Sequence, residues 1–156
     1  MPVDPAAIAA AAFVQAGVAY TPGIVLDQLG IPVVRTWLRD TWGMWSPARR
    51  TVVIAAGLSA VQERCVLAHE VEHVLAGDAD CNGGPVAIHQ ERYADREAAR
   101  KLLAISDLCE VAQWAPDVRT AADELQVTER MLRLRLRDLD GEGWPWPAAD
   151  TSRTGG

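Results

Sequence analysis

The stretch "LAHEVEHVLAGD", residues 67–78, carries two histidines four positions apart, with a glutamate directly after the first. At about 100° per residue of an α-helix, His69 and His73 lie within roughly 40° of each other, so both imidazoles project from one face. The opposite face carries apolar side chains, at Leu67, Val71 and Val74. The pattern predicts an amphipathic helix whose apolar face is buried and whose opposite face presents two metal-ligating side chains.

Two glutamates compete for the role of general base on this helix. On the helical wheel, Glu70 and Glu72 lie roughly 80° to either side of the histidine direction, so geometry alone does not choose between them. In the HExxH arrangement, the glutamate after the first histidine takes a proton from a water molecule that the metal activates. That assignment favours Glu70, and Glu72 adds negative charge beside the predicted site.

A catalytic zinc site needs a third protein ligand. Ala76 and Ala79 stand where the HExxHxxGxxH continuation requires glycine and histidine, which excludes the three-histidine version. Glu91, eighteen residues after His73, lies on a predicted helix that the intervening loop could fold back against the first. Asp95, one turn further along, lies on the same helix face as Glu91. Its carboxylate could accept from the remaining N–H of a ligating imidazole and so orient the ring. Other zinc donors lie nearby, at Asp78, Asp80, Cys81 and His89.

The pieces "LAHEVEH" (67–73) and "QERYADREAARKLL" (90–103) resemble, in order and separation, the ImmA/IrrE group of bacterial and phage metallopeptidases. More broadly they resemble thermolysin-type enzymes with an HExxH and a downstream ExxxD. Residues 49–70 are similar to the family's strand and helix entry, so the resemblance covers roughly residues 20–140. It implies zinc ligands at His69, His73 and Glu91, a catalytic base at Glu70 and a supporting carboxylate at Asp95. The substrate it implies is a helix-turn-helix transcriptional repressor, whose cleavage releases phage, mobile-element or stress genes.

The rest of the chain predicts an α+β fold. Segments 31–37 and 50–56 are rich in β-branched residues and predict two antiparallel strands of a small sheet, joined by a turn or long hairpin. Ser59 opens a capping box and Gly77 is a typical stop, so the HExxH helix is predicted over residues 60–76. Further helices are predicted over residues 5–17, 21–30 and 86–105.

The length of 156 residues and the 49% hydrophobic content predict one compact domain. We expect it to span residues 1–140, with a helical C-terminal part over about 107–140 and a disordered tail over 141–156. The apolar run near the start is too short for a membrane span and lacks a positive leader. Three cysteines without a CxxC pair favour a reducing cytoplasm over a disulfide framework.

Residues 120–139 have the outline of a helix-turn-helix, with a break at Gln126 and a helix cap at Thr128. Arginines of its second helix could meet phosphates, at Arg130, Arg133 and Arg137. Residues 117–140 nevertheless hold six acids against five arginines, and the whole chain has a net charge of −6. Because DNA binding draws on a basic excess, a helical part that packs near the site or recognises the substrate is favoured.

The sequence therefore predicts a zinc-dependent endopeptidase with a protein substrate, and it predicts neither direct nucleic-acid binding nor membrane association. Ligand type alone leaves Mn²⁺ or another divalent ion open beside Zn²⁺. Two other classes also stay open. One is a metal-binding but weakly active regulator that contacts a repressor, and the other is a DNA-binding protein with a vestigial HExxH.

Overall fold

The computed structural model describes residues 19–79, 83–139 and 144–146. The fold over these residues is α+β, as predicted. Its elements, in chain order, are α1 (Pro22–Gln28), β1 (Val33–Thr36), β2 (Gly43–Ser46), β3 (Thr51–Ala55), α2 (Ala60–Ala76), α3 (Pro85–Leu102), α4 (Ile105–Ala112), α5 (Val118–Glu124) and α6 (Glu129–Asp138). The helix predicted over residues 5–17 lies outside the described residues. The division into a domain and a tail stays a prediction.

The three strands form a mixed sheet in the order β1-β3-β2. β1 and β3 run parallel, with Val33 opposite Val52, whereas β2 runs antiparallel to β3, with Trp45 opposite Val52. The prediction of a small antiparallel sheet from segments 31–37 and 50–56 is therefore wrong. The connecting segment is not only a turn: it supplies β2, which forms the hairpin with β3 and lets the chain re-enter β3 in the direction of β1.

Helix α2 begins and ends at the predicted residues. The hydroxyl of Ser59 accepts from the backbone N–H of Gln62 at 3.1 Å, and the Gln62 side chain accepts from the Ser59 N–H at 2.9 Å. Gly77 ends the helix with a positive φ of 67°, a conformation that favours glycine. This reciprocal cap fixes the rotation of the first turn and hence the direction in which the histidines project.

Helix α2 is buried on two sides rather than one. Toward the sheet and α1 it packs Val66, Leu67 and Val71 in one apolar cluster. Toward the C-terminal helices it packs Cys65 and Ala68 in a second, larger cluster. The histidine-bearing edge is thus held between two cores, which makes the site rigid. No described helix combines the length and apolarity needed to cross a bilayer.

The α5–α6 turn is fastened directly to α2. The Arg64 guanidinium donates to the carbonyls of Leu125 and Gln126 at 3.3 and 2.8 Å, and the Thr128 N–H donates to Cys65 Sγ at 3.4 Å. The turn itself needs the positive φ of 55° at Gln126. The predicted helix-turn-helix outline is present as secondary structure. Its turn, however, packs against α2 through the contacts of Arg64 and Cys65.

Part of the segment predicted as a tail is described and lies against the C-terminal helices. Trp146 is 3% exposed, and its indole N–H donates to the Ala115 carbonyl at 3.0 Å. Trp144 stacks on it with ring centroids 6.2 Å apart. A buried indole with a satisfied N–H contributes a large apolar area to the second cluster.

Candidate metal centre

The structure brings His69, His73 and Glu91 together in space. The two Nε2 atoms lie 3.0 Å apart, and each lies 3.1 Å from one of the two Glu91 carboxylate oxygens. One donor atom from each of these three residues can be chosen so that all lie within 4.8 Å of one another. Tetrahedral zinc with ligands at about 2.0–2.1 Å separates neighbouring ligand atoms by about 3.3 Å. Two imidazoles and one carboxylate at this spacing fit a divalent metal ion.

Each histidine has a carboxylate on its other ring nitrogen. His69 Nδ1 lies 2.9 Å from Asp95 Oδ1, and His73 Nδ1 lies 2.8 Å from Asp78 Oδ2. An ionised carboxylate only accepts, so each Nδ1 carries a proton, and each Nε2 is the nitrogen left to bind a metal ion once its own proton is displaced. Partners of this kind hold a ligating imidazole in one tautomer and one orientation.

The rival donors fall into different places. Asp78 contacts His73 Nδ1 and so lies behind the imidazole, on the side away from the other donors. His89 is exposed on the first part of α3. Asp80 and Cys81 lie outside the described residues. Of the rivals that the structure describes, neither His89 nor Asp78 belongs to the group of converging donors.

The electrostatics of the group are those of a proton-binding cluster when no metal is bound. Burial alone would lower the pKa of His69, but hydrogen bonds to Asp95 and Glu91 raise it to about 10. The hydrogen bond to His69 lowers the pKa of Glu91. Burial would raise the pKa of Asp95, but hydrogen bonds from His69 and Arg130 bring it to about 2. The cluster attracts positive charge, which a metal ion can supply in place of the proton.

Glu70 and Glu72, which the helical wheel left equivalent, have different surroundings. Glu70 lines the cleft beside the donors, although it is only 4% exposed, and burial raises its pKa above the usual range. Glu72 is equally buried but lies on another side of α2, where Lys101 Nζ contacts its carboxylate at 2.5 Å. Within the described residues, Glu70 is therefore the glutamate of α2 that can reach a molecule held at the donors.

The edge strand β2 holds Glu70 in place. The Trp45 backbone lies near its carboxylate and partly opposes the rise of its pKa. Gly43 lies so close that a Cβ there would be 2.9 Å from Glu70 Oε1 and 2.5 Å from Val66 Cγ1. Only a residue without a side chain allows this approach of strand to helix.

The donors open into a cleft of about 600 Å³. One wall is β2 and the residues before it, including Trp42, Met44 and Trp45. The other wall comes from α3 and from the start of α6, where Thr128, Arg130 and Met131 face the space. Trp42 is half exposed and Trp37 is 86% exposed, so these indoles are not core residues. A cleft of this size is in the range of pockets that hold small ligands in proteins.

Three features of the site have no clear sequence signal. Asp78 follows the cap of α2 and is a rival metal donor by its sequence position, but it contacts His73 Nδ1 instead. Arg130 looks like a phosphate contact of a helix-turn-helix, yet it forms a two-pronged pair with Asp95, at 2.7 and 3.3 Å. Gly43 looks like a turn signal but belongs to a strand. The contacts of Arg130 and Gly43 depend on an approach between segments far apart in sequence, whereas Asp78 contacts a histidine five residues before it.

No family model matches the chain, and no characterised protein matches its sequence at a significant level. The resemblance to the ImmA/IrrE group therefore rests on the residues quoted above. The geometry of the donors is an independent observation.

Proposed function

We propose that this protein is a zinc-dependent endopeptidase. The observation that carries the proposal is the convergence of His69, His73 and Glu91, with Glu70 on the same cleft. Two imidazoles, one carboxylate and a neighbouring free carboxyl make up the residue types of a two-histidine, one-glutamate hydrolytic zinc site. Other divalent ions that accept nitrogen and oxygen donors suit the same residues.

The residues of the chain divide the work of hydrolysis. His69, His73 and Glu91 would hold a metal ion, which would supply Lewis acidity for polarising a peptide carbonyl and activating water. Glu70 takes the proton from the attacking water and returns it to the departing amine. Its burial, which raises its pKa, brings this carboxyl closer to the pH at which such a transfer works best. Asp95 and Asp78 hold the imidazoles of His69 and His73, respectively, with Nε2 directed toward the metal position.

The substrate lies along β2 in this proposal. β2 is the outer strand on its side of the described sheet, so one row of its backbone groups is open to a further strand. β2 lies against Glu70 at Gly43, which would place an added peptide strand near the carboxyl that moves the proton. The half-exposed Trp42 and Met44 offer apolar surface to the substrate side chains.

The substrate class, a helix-turn-helix repressor, comes from the resemblance to the ImmA/IrrE group. Direct DNA binding by α5 and α6 has little support, because three of the four arginines of α6 have partners within the chain, Arg137 being the exception among the described contacts. Arg130 binds Asp95, and Arg133 pairs with Glu129 at 3.6 Å. Arg135 is buried and donates to the Leu103 carbonyl at 3.1 Å.

The experiment compares wild-type protein with Glu70→Gln and Glu72→Gln, each loaded with zinc and incubated with helix-turn-helix repressors from the same genome. We expect cleavage by wild type and by Glu72→Gln, and none when a chelator is present. Glu70→Gln should retain zinc, because all three donors are intact, and should lose cleavage by about a thousandfold, the scale expected for loss of the general base. Zinc content is measured by metal analysis and cleavage by mass spectrometry.

Two outcomes contradict the proposal. If wild type binds no metal, the donor group is structural. If wild type binds metal but Glu70→Gln and wild type act alike on the repressor, the protein is a metal-binding regulator that works by contact.

A further inference from the structure

We infer that Arg130, from the C-terminal helical part, is a positioning residue of the metal centre that acts through Asp95 on His69. The inference rests on the metal-binding part of the proposed function and not on peptide hydrolysis. It assigns the start of α6 to the construction of the site, rather than to recognition of DNA or of a protein.

The geometry is a relay of three groups from α6 to the donors. The two terminal guanidinium nitrogens of Arg130, Nη2 and Nη1, donate to the Asp95 carboxylate at 2.7 and 3.3 Å. The oxygen that takes the longer contact also faces His69 Nδ1, at 2.9 Å. A two-pronged arginine pair fixes the plane of a carboxylate, which a single contact leaves free to rotate. The plane of Asp95 in turn sets the direction of the His69 imidazole.

The start of α6 is itself held firmly enough to play this role. The Thr128 hydroxyl caps α6 by accepting from the Met131 N–H at 3.2 Å. The Thr128 N–H reaches Cys65, one helical turn before His69 on α2. Arg64, beside Cys65, fastens the turn that precedes α6. The same stretch of α2 thus anchors both the histidine and the helix that supplies Arg130.

The burial of the two partners shows which of them depends on the other. The Asp95 side chain is 16% exposed and the Arg130 side chain is 66% exposed. Removing Arg130 leaves a mostly buried carboxylate with His69 as its remaining hydrogen-bond partner among the described contacts. Removing Asp95 leaves the arginine head in water. The pair therefore matters more for the order of the carboxylate than for the stability of α6.

The test measures zinc affinity by chelator competition and the absorption spectrum of the cobalt-substituted protein. We compare Arg130→Ala and Arg130→Lys with Arg133→Ala, a control on the same helix whose partner is Glu129. We expect Arg130→Ala to weaken zinc binding by about tenfold, the lower end for partners of metal ligands, and to change the cobalt spectrum. The zinc affinity of Arg130→Lys should lie between those of Arg130→Ala and wild type. Arg133→Ala should match wild type in affinity and spectrum.

A double variant separates a positioning effect from a general loss of structure. In an Asp95→Ala background, Arg130→Ala should produce no further loss of zinc affinity, because the relay is already broken. An unchanged affinity and spectrum in Arg130→Ala, or an equal further loss in the double variant, overturns the inference. If wild type binds zinc but cleaves no repressor and the Arg130 effects remain, the peptidase proposal fails and this inference stands. Circular dichroism confirms that each variant is folded.

Discussion

Gly43→Ala is the substitution that tests most directly how the sheet holds the candidate base. The added Cβ would lie 2.5 Å from Val66 Cγ1 and 2.9 Å from Glu70 Oε1. Ordinary contacts between such atoms are about 3.5–4.0 Å, so β2 and α2 must separate by about 1 Å. Overpacking of this kind costs about 2 kcal/mol, which lowers the unfolding midpoint of a chain this size by about 4–8 °C.

The same displacement moves Glu70 relative to the donors, and a shift of about 1 Å in a catalytic group can lower the rate by about a hundredfold. Zinc affinity should change little, because β2 supplies none of the three donors. Gly23→Ala is the matched control: a Cβ there meets nothing within 4 Å, and alanine in helix α1 should stabilise by about 0.5–1 kcal/mol. Thermal unfolding followed by circular dichroism and repressor cleavage are the assays. An unfolding midpoint and cleavage rate equal to wild type in Gly43→Ala would refute the reasoning.

Three further predictions concern the groups around the donors. Asp78→Asn should weaken zinc binding by about tenfold, since the neutral amide orients the His73 imidazole less strongly; an unchanged chelator titration would contradict this. Lys101→Met should lower the free energy of unfolding by about 3 kcal/mol in denaturant titrations with zinc affinity unchanged, because it leaves the buried Glu72 carboxylate unpaired. In metal-free protein, the raised pKa of Glu70 means that its ionisation costs stability above its usual value of 4.5. Glu70→Gln should therefore melt above wild type at neutral pH, and the difference should disappear as the pH falls through that value; a constant difference would show another cause.

Local patterns in the sequence were sufficient for the helices that carry the donors. The cap at Ser59 and the stop at Gly77 depend on contacts within a few residues, so they can be recognised without knowledge of the fold. The same is true of the Thr128 cap of α6. Histidines four residues apart face one direction on any helix, which is why the pair at His69 and His73 could be expected before the fold was known.

Sheet topology could not be predicted in this way. Alternation and β-branched residues identify strands, but they do not say which strand lies beside which, or in which direction. The segment containing Gly43 was interpreted as a turn because glycine is poor in strands. It forms a strand because the lack of a side chain lets it pack closely against Glu70, on a helix that follows it in the chain.

By itself the sequence determined the extent of α2, the two histidines on one face of it, and the candidate carboxylates at Glu91 and Asp95; the helix predicted over residues 86–105 ends at Leu102. The tertiary structure decided which groups meet. It placed Glu91 against both imidazoles and separated Glu70 from Glu72 by their neighbours. It also paired Arg130 with Asp95 rather than with a DNA phosphate. The physical reason is range: helix caps and helix faces follow from neighbours within one or two turns. The surroundings of a buried carboxyl depend on segments that only folding brings together.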